Sequence, residues 1–489
     1  MNTIGSNASR GYISVPMFLI HVTGALCLLL MFLVITPRIT QADEGFLYFE
    51  SNNVSEGQNS IVGYKRTSEG LEPLPGSPYL TGGTGLNNST NGKLGLNDID
   101  TPVILSADNK RLFAVNGHSN TIAVFDVMPG GSLRHVKGSP FPSEGIGPVS
   151  LSLSGDALLV ANRNEDPHQL TELAGGALAN YASFKVGPDG TLTFISRSEI
   201  EDGQKPTQVY VSDLNGNVVL GNDFQVDVDF DGEGSVSKLF GKEPQVRGQL
   251  QAFKLGGDGA LIPRGSAALP ETVNPAPDVP SVPLGIWGHP TKNLLYVGFV
   301  TRNELGVFEY DVDKILSADP TETGNPKVFN FVVAVPNSGQ DICWLRVNGD
   351  GTRLYAVNNL PREDEKDKSS TVTVFDISGD NARKPIEIGR VQIPMPGNSF
   401  FNNRNAMQPG STAFQLDIDP SGKTLYVINQ RIDQTPANSD TFGNVLHTFN
   451  IGPDGLLTVQ GARQLGKDGV HSDSRPQGIV TFDTLARGK

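Results

Sequence analysis

Cysteine is almost missing from this chain: the 489 residues hold two, Cys27 and Cys343. Cys27 lies inside an apolar N-terminal run, so a disulfide framework, a Cys-x-x-Cys-His haem attachment and a cysteine-based zinc site are all excluded. Cys343, beside Trp344 in an apolar run, reads as a small buried hydrophobe rather than a nucleophile. Positive charge is also scarce. Lys and Arg total 38 against 52 Asp and Glu, a formal net charge of −14, which argues against a nucleic-acid partner because phosphate binding needs a basic face. Charged residues make up only 18%, and no long amphipathic helical period is found.

Turns are abundant instead, with 56 Gly and 33 Pro. Between Thr101 and Leu133, three apolar runs (Val103–Leu105, Leu112–Val115, Ile122–Val127) are separated by Asp-, Asn- and Gly-bearing turns, and a fourth begins at Leu133. Such runs predict four short antiparallel strands, here a to d, which bury too little surface to stand alone. The unit recurs from Pro148 to Asn162, Pro206 to Asn222, Pro283 to Gly298, Asp341 to Asn358 and Ala413 to Asn429, each followed by further strand-like runs. Six units are therefore complete.

Both ends carry fragments. Phe46–Phe49, Ile61–Lys65 and Leu71–Leu74 supply b, c and d without an a, and Arg475–Phe482 supplies an a alone. Pairing the two fragments makes a seventh unit and removes the open sheet edge. The expectation is an all-β, seven-bladed β-propeller closed by its N- and C-terminal strands, occupying 43–489 as a single domain.

Residues 1–42 read as a targeting segment. Arg10 precedes the apolar run Val15–Ile35, and Thr40-Gln41-Ala42 places small residues before Asp43 as in a secretory signal peptide. The run is also long enough for an uncleaved signal anchor. The expected location is periplasmic or secreted, with membrane attachment only if the segment is retained.

Roughly 64 residues per blade exceed the ~40–50 of compact propellers. Most of the excess falls in b–c and d–a connections, such as Arg163–Ala179, Asp223–Gly248, Gln430–Asn444 and Ser77–Asp100. In an antiparallel blade these emerge at one end, so one face of the disc carries the elaboration. Loops on a rigid scaffold are where binding and catalysis reside, so this face, over the central channel, is the expected site.

The strand-b endings Leu112-Phe113-Ala114-Val115-Asn116, Leu354-Tyr355-Ala356-Val357-Asn358 and Leu425-Tyr426-Val427-Ile428-Asn429 resemble the YVTN class of propellers. With Gly138-Ser139-Pro140-Phe141 and Gly187-Pro188-Asp189-Gly190, they make the chain similar to the lactonase-type propellers, the superfamily of bacterial 6-phosphogluconolactonase and the carboxymuconate-lactonizing enzyme. Trp-Asp pairs of WD40 repeats and the repeated double glycines of kelch repeats are absent. The resemblance implies a seven-bladed fold and hydrolysis of a lactone. Family members often begin an a strand with Gly-Pro-Arg-His; here the places read Gly147-Pro148-Val149-Ser150 and Lys205-Pro206-Thr207-Gln208.

Two functions are expected of the elaborated face. One is a lactonase-like hydrolase of a small anionic substrate. Its water would be activated by Glu165, Asp166 or His168, the acid–base groups of the segment following Arg163. Arg163, Arg475, Arg302 and Arg431 could hold the anion bidentately, with His118 beside them. The other is a non-catalytic binding or scaffold protein that takes a protein partner there. The b-terminal Asn residues read as turn formers bonding backbone. Asp227-Val228-Asp229-Phe230-Asp231-Gly232 spaces carboxylates as in the first half of a calcium loop, so Asp227, Asp229 and Asp231 are the expected ligands for Ca²⁺. Position 12 would be Lys238, which excludes an EF-hand.

Overall fold

A computed structural model describes residues 45–86, 99–166, 171–172, 174–201, 204–225, 248–270, 283–317, 327–360, 362, 369–394, 411–431, 443–471 and 474–483. His168, Asp227, Asp229 and Asp231 lie outside the described residues. The strands form seven antiparallel blades, each with a path in the order a-b-c-d; in blades 1 and 2 a further two-residue strand, Tyr79–Leu80 and Phe141–Pro142, also pairs with strand c. Blade 1 joins both ends of the chain: its strand a is Gln477–Asp483, followed by Gly45–Glu50, Ser60–Thr67 and Gly70–Pro73. Strands a of blades 2 to 7 are Val103–Leu105, Pro148–Ser154, Gln204–Val211, Pro283–Gly288, Gln340–Val347 and Ser411–Ile418. Strands b of the same blades are Arg111–Asn116, Ala157–Asn162, Val218–Gln225, Leu294–Phe299, Arg353–Leu360 and Thr424–Arg431.

The repeated apolar alternation is met by seams between blades. Phe113, Val115 and Ile122 of blade 2, for example, pack with Leu158, Val160 and Phe184 of blade 3. Neighbouring a strands touch one another around the axis. In six blades the a–b ladder slips by one residue near the start of strand a, a bulge that sharpens the local twist where the strands crowd together. Gly285 sits in one such bulge with φ 62°, and a Cβ there would lie 2.1 Å from the Cys343 carbonyl oxygen, so only glycine fits. Cys343 and Trp344 are fully buried in the core beneath it.

Closure of the ring is as the fragments predicted. Phe46 pairs with Phe482, Leu47 with Thr481 and Tyr48 with Val480. The Phe482 ring packs 5.3 Å from Phe46 and 5.9 Å from Tyr48. Arg66 bonds Asp419 of blade 7 and, on the closing strand, the Phe482 carbonyl and Asp483. Strand topology sets b–c and d–a connections at one end of the disc, the long-loop end, and a–b and c–d turns at the other. A short helix, Val312–Leu316, occupies the c–d connection of blade 5.

Two changes test the closure. Deleting residues 475–489 is expected to abolish a cooperative thermal transition, because it exposes two sheet edges at once. Phe482→Ala is expected to cost about 3 kcal/mol in urea unfolding. An unaltered transition in the deletion variant would mean that the blade closes in some other way.

Candidate functional site

Toward the long-loop end six of the seven b strands carry a polar residue at the equivalent place: Asn116, Asn162, Asn222, Asn358 and Asn429 in five blades, and Glu50 in blade 1; blade 5 has Gly298 there. The asparagines knit the ends together. Asn162 donates to the Ser143 carbonyl and Asn180 Oδ1 (both 3.0 Å), Asn222 to the Pro283 carbonyl (2.7 Å), and Asn358 to Thr373 Oγ1 (2.8 Å). Their side chains therefore bond neighbouring strands and turns, which is a structural role.

The residues just beyond these asparagines, with the starts of the a strands, are charged and buried. Arg163, Lys205, Arg431 and Arg475 are all at most 2% exposed. Arg163 follows Asn162, its N–H donating to the Gly147 carbonyl at 2.9 Å. Asn164, in left-handed backbone at φ 50°, then folds the chain over by bonding Ala174 and Ala177. Glu165 and Asp166 continue as a two-residue ladder with Thr171 and Glu172. Arg431 lies opposite Ser411, and its N–H is bound by Asn444 Oδ1 at 2.8 Å. Arg475 precedes Pro476, whose carbonyl accepts from Gln430 Nε2 at 3.1 Å.

Two carboxyl groups share this end. Glu50 is fully buried, accepts from Asn59 Nδ2 and Gln477 Nε2, and burial pushes it up to about 8 against the lowering by those two donors. Asp223, the residue after Asn222, accepts from Tyr181 Oη (2.7 Å) and Gln251 Nε2. Burial holds it near 7, again against the hydrogen bonds. In both cases burial outweighs the lowering by neutral hydrogen-bond donors, with no cation among the causes.

The structure sorts the candidates read from sequence. Arg163, Arg431 and Arg475 come to one end of the disc and are buried there, joined by Lys205, which the sequence reading passed over. Arg302, in the b–c connection of blade 5, is held by Glu304 at the start of strand c at 2.9 Å. His118 is exposed in the turn after Asn116. Glu50 and Asp223 were not singled out; the only signal was their place at or beside the repeating asparagine. On the opposite, short-turn face, a depression of about 470 Å³ between blades 4 and 5 is lined by Leu214, Glu309, Asp311 and Asp313 among others. Two of its three acids are engaged, Glu309 with Arg383 and Asp311 as the cap of the short helix. His289, also on that face, is buried with Nδ1 accepting from the Thr291 N–H, and burial lowers its pKa.

No family model matches the chain, and no curated protein matches it. Solved structures do. A proposed 6-phosphogluconolactonase from Bacteroides fragilis is 15% identical, spanning 91% of this chain and 99% of its own, with a TM-score of 0.56. One from Bacteroides uniformis is 16% identical over 90% of this chain and 99% of its own, TM-score 0.57. A hypothetical selenium-binding protein from Sulfolobus tokodaii is 13% identical over 90% and 93%, TM-score 0.54. The shared feature is the fold: a seven-bladed propeller of the kind seen in lactonase-like proteins.

The raised carboxyls give a signed prediction. A carboxyl with a folded pKa above its unfolded value keeps a proton the unfolded chain has lost, so stability falls as pH rises between the two. His447, pushed down to about 3 by burial, acts in the opposite sense but only below its ordinary 6.5. From pH 6.5 to 8, therefore, the melting temperature should decline, Glu50 contributing on the order of 1–2 kcal/mol. Glu50→Gln should flatten that slope in a calorimetric pH series. A wild-type melting temperature that climbs over this interval would contradict the assignment.

Proposed function

We propose that the protein is an exported hydrolase of a small anionic lactone, acting at the long-loop end of the disc. The observation that carries this reading is the burial of four cations near strand ends at that face, together with two carboxyls that burial raises to about 8 and about 7. Buried guanidinium groups favour carboxylate or phosphate, which they meet in two parallel hydrogen bonds. Arg163 and Asp223 occupy equivalent places in adjacent blades, each following a b-terminal asparagine. In the proposed reaction Asp223 takes a proton from water as the oxygen adds to the lactone carbonyl. The ring C–O bond then breaks, and the leaving oxygen takes up the proton, giving a hydroxy acid. A base with a pKa near the working pH is suited to this step. Arg163, Lys205 and Arg475 hold the anionic substituent. Glu165 and Asp166, which follow Arg163 after Asn164, are the alternative source of the base.

A second reading, non-catalytic binding of a small anion, is favoured by one observation: no a strand begins with the Arg-His pair common in lactonase-type propellers.

Glucono-δ-lactone and a phosphorylated sugar lactone are the first substrates to assay by pH-stat, with the spontaneous rate subtracted. Expected are a kcat/KM that rises through about pH 7 and a loss of roughly 100-fold or more in kcat for Asp223→Asn. If the same loss appears instead in Glu165→Gln or Asp166→Asn, the base is assigned wrongly. If neither lactone is turned over but both protect the protein against heat, with protection lost in Arg163→Ala, the site binds without catalysis.

A further inference from the structure

The central channel is occupied by the chain itself. Ile99, Asp100 and Thr101, the peptide leading into strand a of blade 2, lie against strands a of blades 3, 4, 6 and 7, with Ile99 and Asp100 buried. Two side chains converge on the Ile99 carbonyl oxygen: Trp344 Nε1 of blade 6 and Gln415 Nε2 of blade 7, the latter at 2.6 Å. The Asp100 carboxylate takes both terminal nitrogens of Arg346, at 2.9 and 3.0 Å. The Arg346 guanidinium in turn sits 4.2 Å from the centre of the Trp287 ring, in strand a of blade 5. The Asp100 N–H donates to the Thr207 carbonyl at 3.2 Å.

This donor set has a definite chemistry. Two neutral N–H groups meet one carbonyl oxygen, and a guanidinium fork stacked on an indole meets a carboxylate. A channel that only needed filling would be filled at least as well by apolar side chains, since burying an ion pair gains little over them. The occupying peptide is also strained. Thr101 adopts left-handed backbone at φ 54°, a conformation that β-branched residues rarely take, and such strain collects at clamps and switches. The occupant comes from one connection, whereas the donors belong to three other blades.

We propose that Arg346, Trp344, Gln415 and Trp287 form a binding site for small compounds carrying a carboxylate beside an amide, ester or lactone carbonyl. The Ile99 carbonyl stands in for the acyl carbonyl of that ligand and the Asp100 side chain for its carboxylate. The segment Ile99–Thr101 holds the site in cis as an autoinhibitory pseudo-ligand. This site uses none of the buried cations of the long-loop end and stands whether or not those hydrolyse a lactone. An outside ligand binds only when the segment leaves, so its apparent affinity is reduced by the fraction of molecules with the site open.

The protein has only two tryptophans, and both belong to this site, so indole fluorescence reports on it directly. The probe is acetyl-Ile-Asp-Thr-amide, titrated into the full chain and into Asp100→Ala. A saturable fluorescence change at least about tenfold tighter in Asp100→Ala than in wild type is expected, abolished when Arg346→Lys is added. A folded Asp100→Ala chain with no saturable change, or one that binds no tighter than wild type, overturns the proposal. Should Asp100→Ala fail to melt cooperatively, refolding is repeated with the peptide and with its acetyl-Ile-Ala-Thr-amide analogue. Recovery with the first alone supports the site; recovery with neither, or equally with both, overturns it.

Discussion

Every innermost strand of this disc has one edge without a strand partner, and satisfying that edge is the constraint on which the ring depends. A buried backbone N–H left unbonded is costly, and seven such edges face one another around the axis. The solution is a set of side-chain acceptors reaching from one blade to its neighbour. Ser150 and Ser152 of blade 3 accept from the Val209 and Val211 N–H groups of blade 4, at 3.1 and 3.0 Å. Gln208 accepts from Ile286 at 2.7 Å, Asp417 from Thr481 at 2.9 Å, and Gln415 from Gly478. Where side chains do not reach, the axial peptide does: Leu151 donates to the Thr101 carbonyl at 2.9 Å and Thr207 accepts from Asp100.

That arrangement explains why charge is tolerated so deep inside. Arg346 is buried with Asp100 as its partner, and burial raises Asp417 to about 6 against the pull of Arg346. Such groups contribute little net stability compared with apolar packing, and they lose it quickly when one partner is removed. Their value is geometric, because a bidentate pair fixes the rotation of the axial peptide relative to blade 6. The long-loop end works differently. There the carboxyls of Glu50 and Asp223 accept hydrogen bonds from amides and a phenol, and burial raises them to about 8 and about 7.

Much of the fold was legible from the unit at residues 101–133 and its recurrences, because strand alternation depends only on local order. Pairing of Gly45–Glu50 with Gln477–Asp483 followed from counting incomplete units. What escaped the sequence was set by tertiary surroundings. Nothing in the string around Ile99 distinguishes an axial peptide from an ordinary d–a connection, and Arg346 reads as one polar position in a strand. Glu50 and Asp223 are ordinary carboxylates until burial changes them. Arg163, Arg431 and Arg475 were legible as a set because they flank strand ends, whereas the commitment of Arg302 to Glu304 needed the fold of the turn.

The most direct test of the ring's dependence on these contacts is native-state hydrogen exchange at the inner edges. Amides of Leu151, Val209, Val211, Ile286, Gly478 and Thr481 should exchange only through global unfolding, as slowly as those of the central b strands. Removing one acceptor, with Ser150→Ala, should release Val209 selectively. Inner-edge amides that exchange far faster than strand b in the wild-type protein would contradict the account, since the edges would then be open to water.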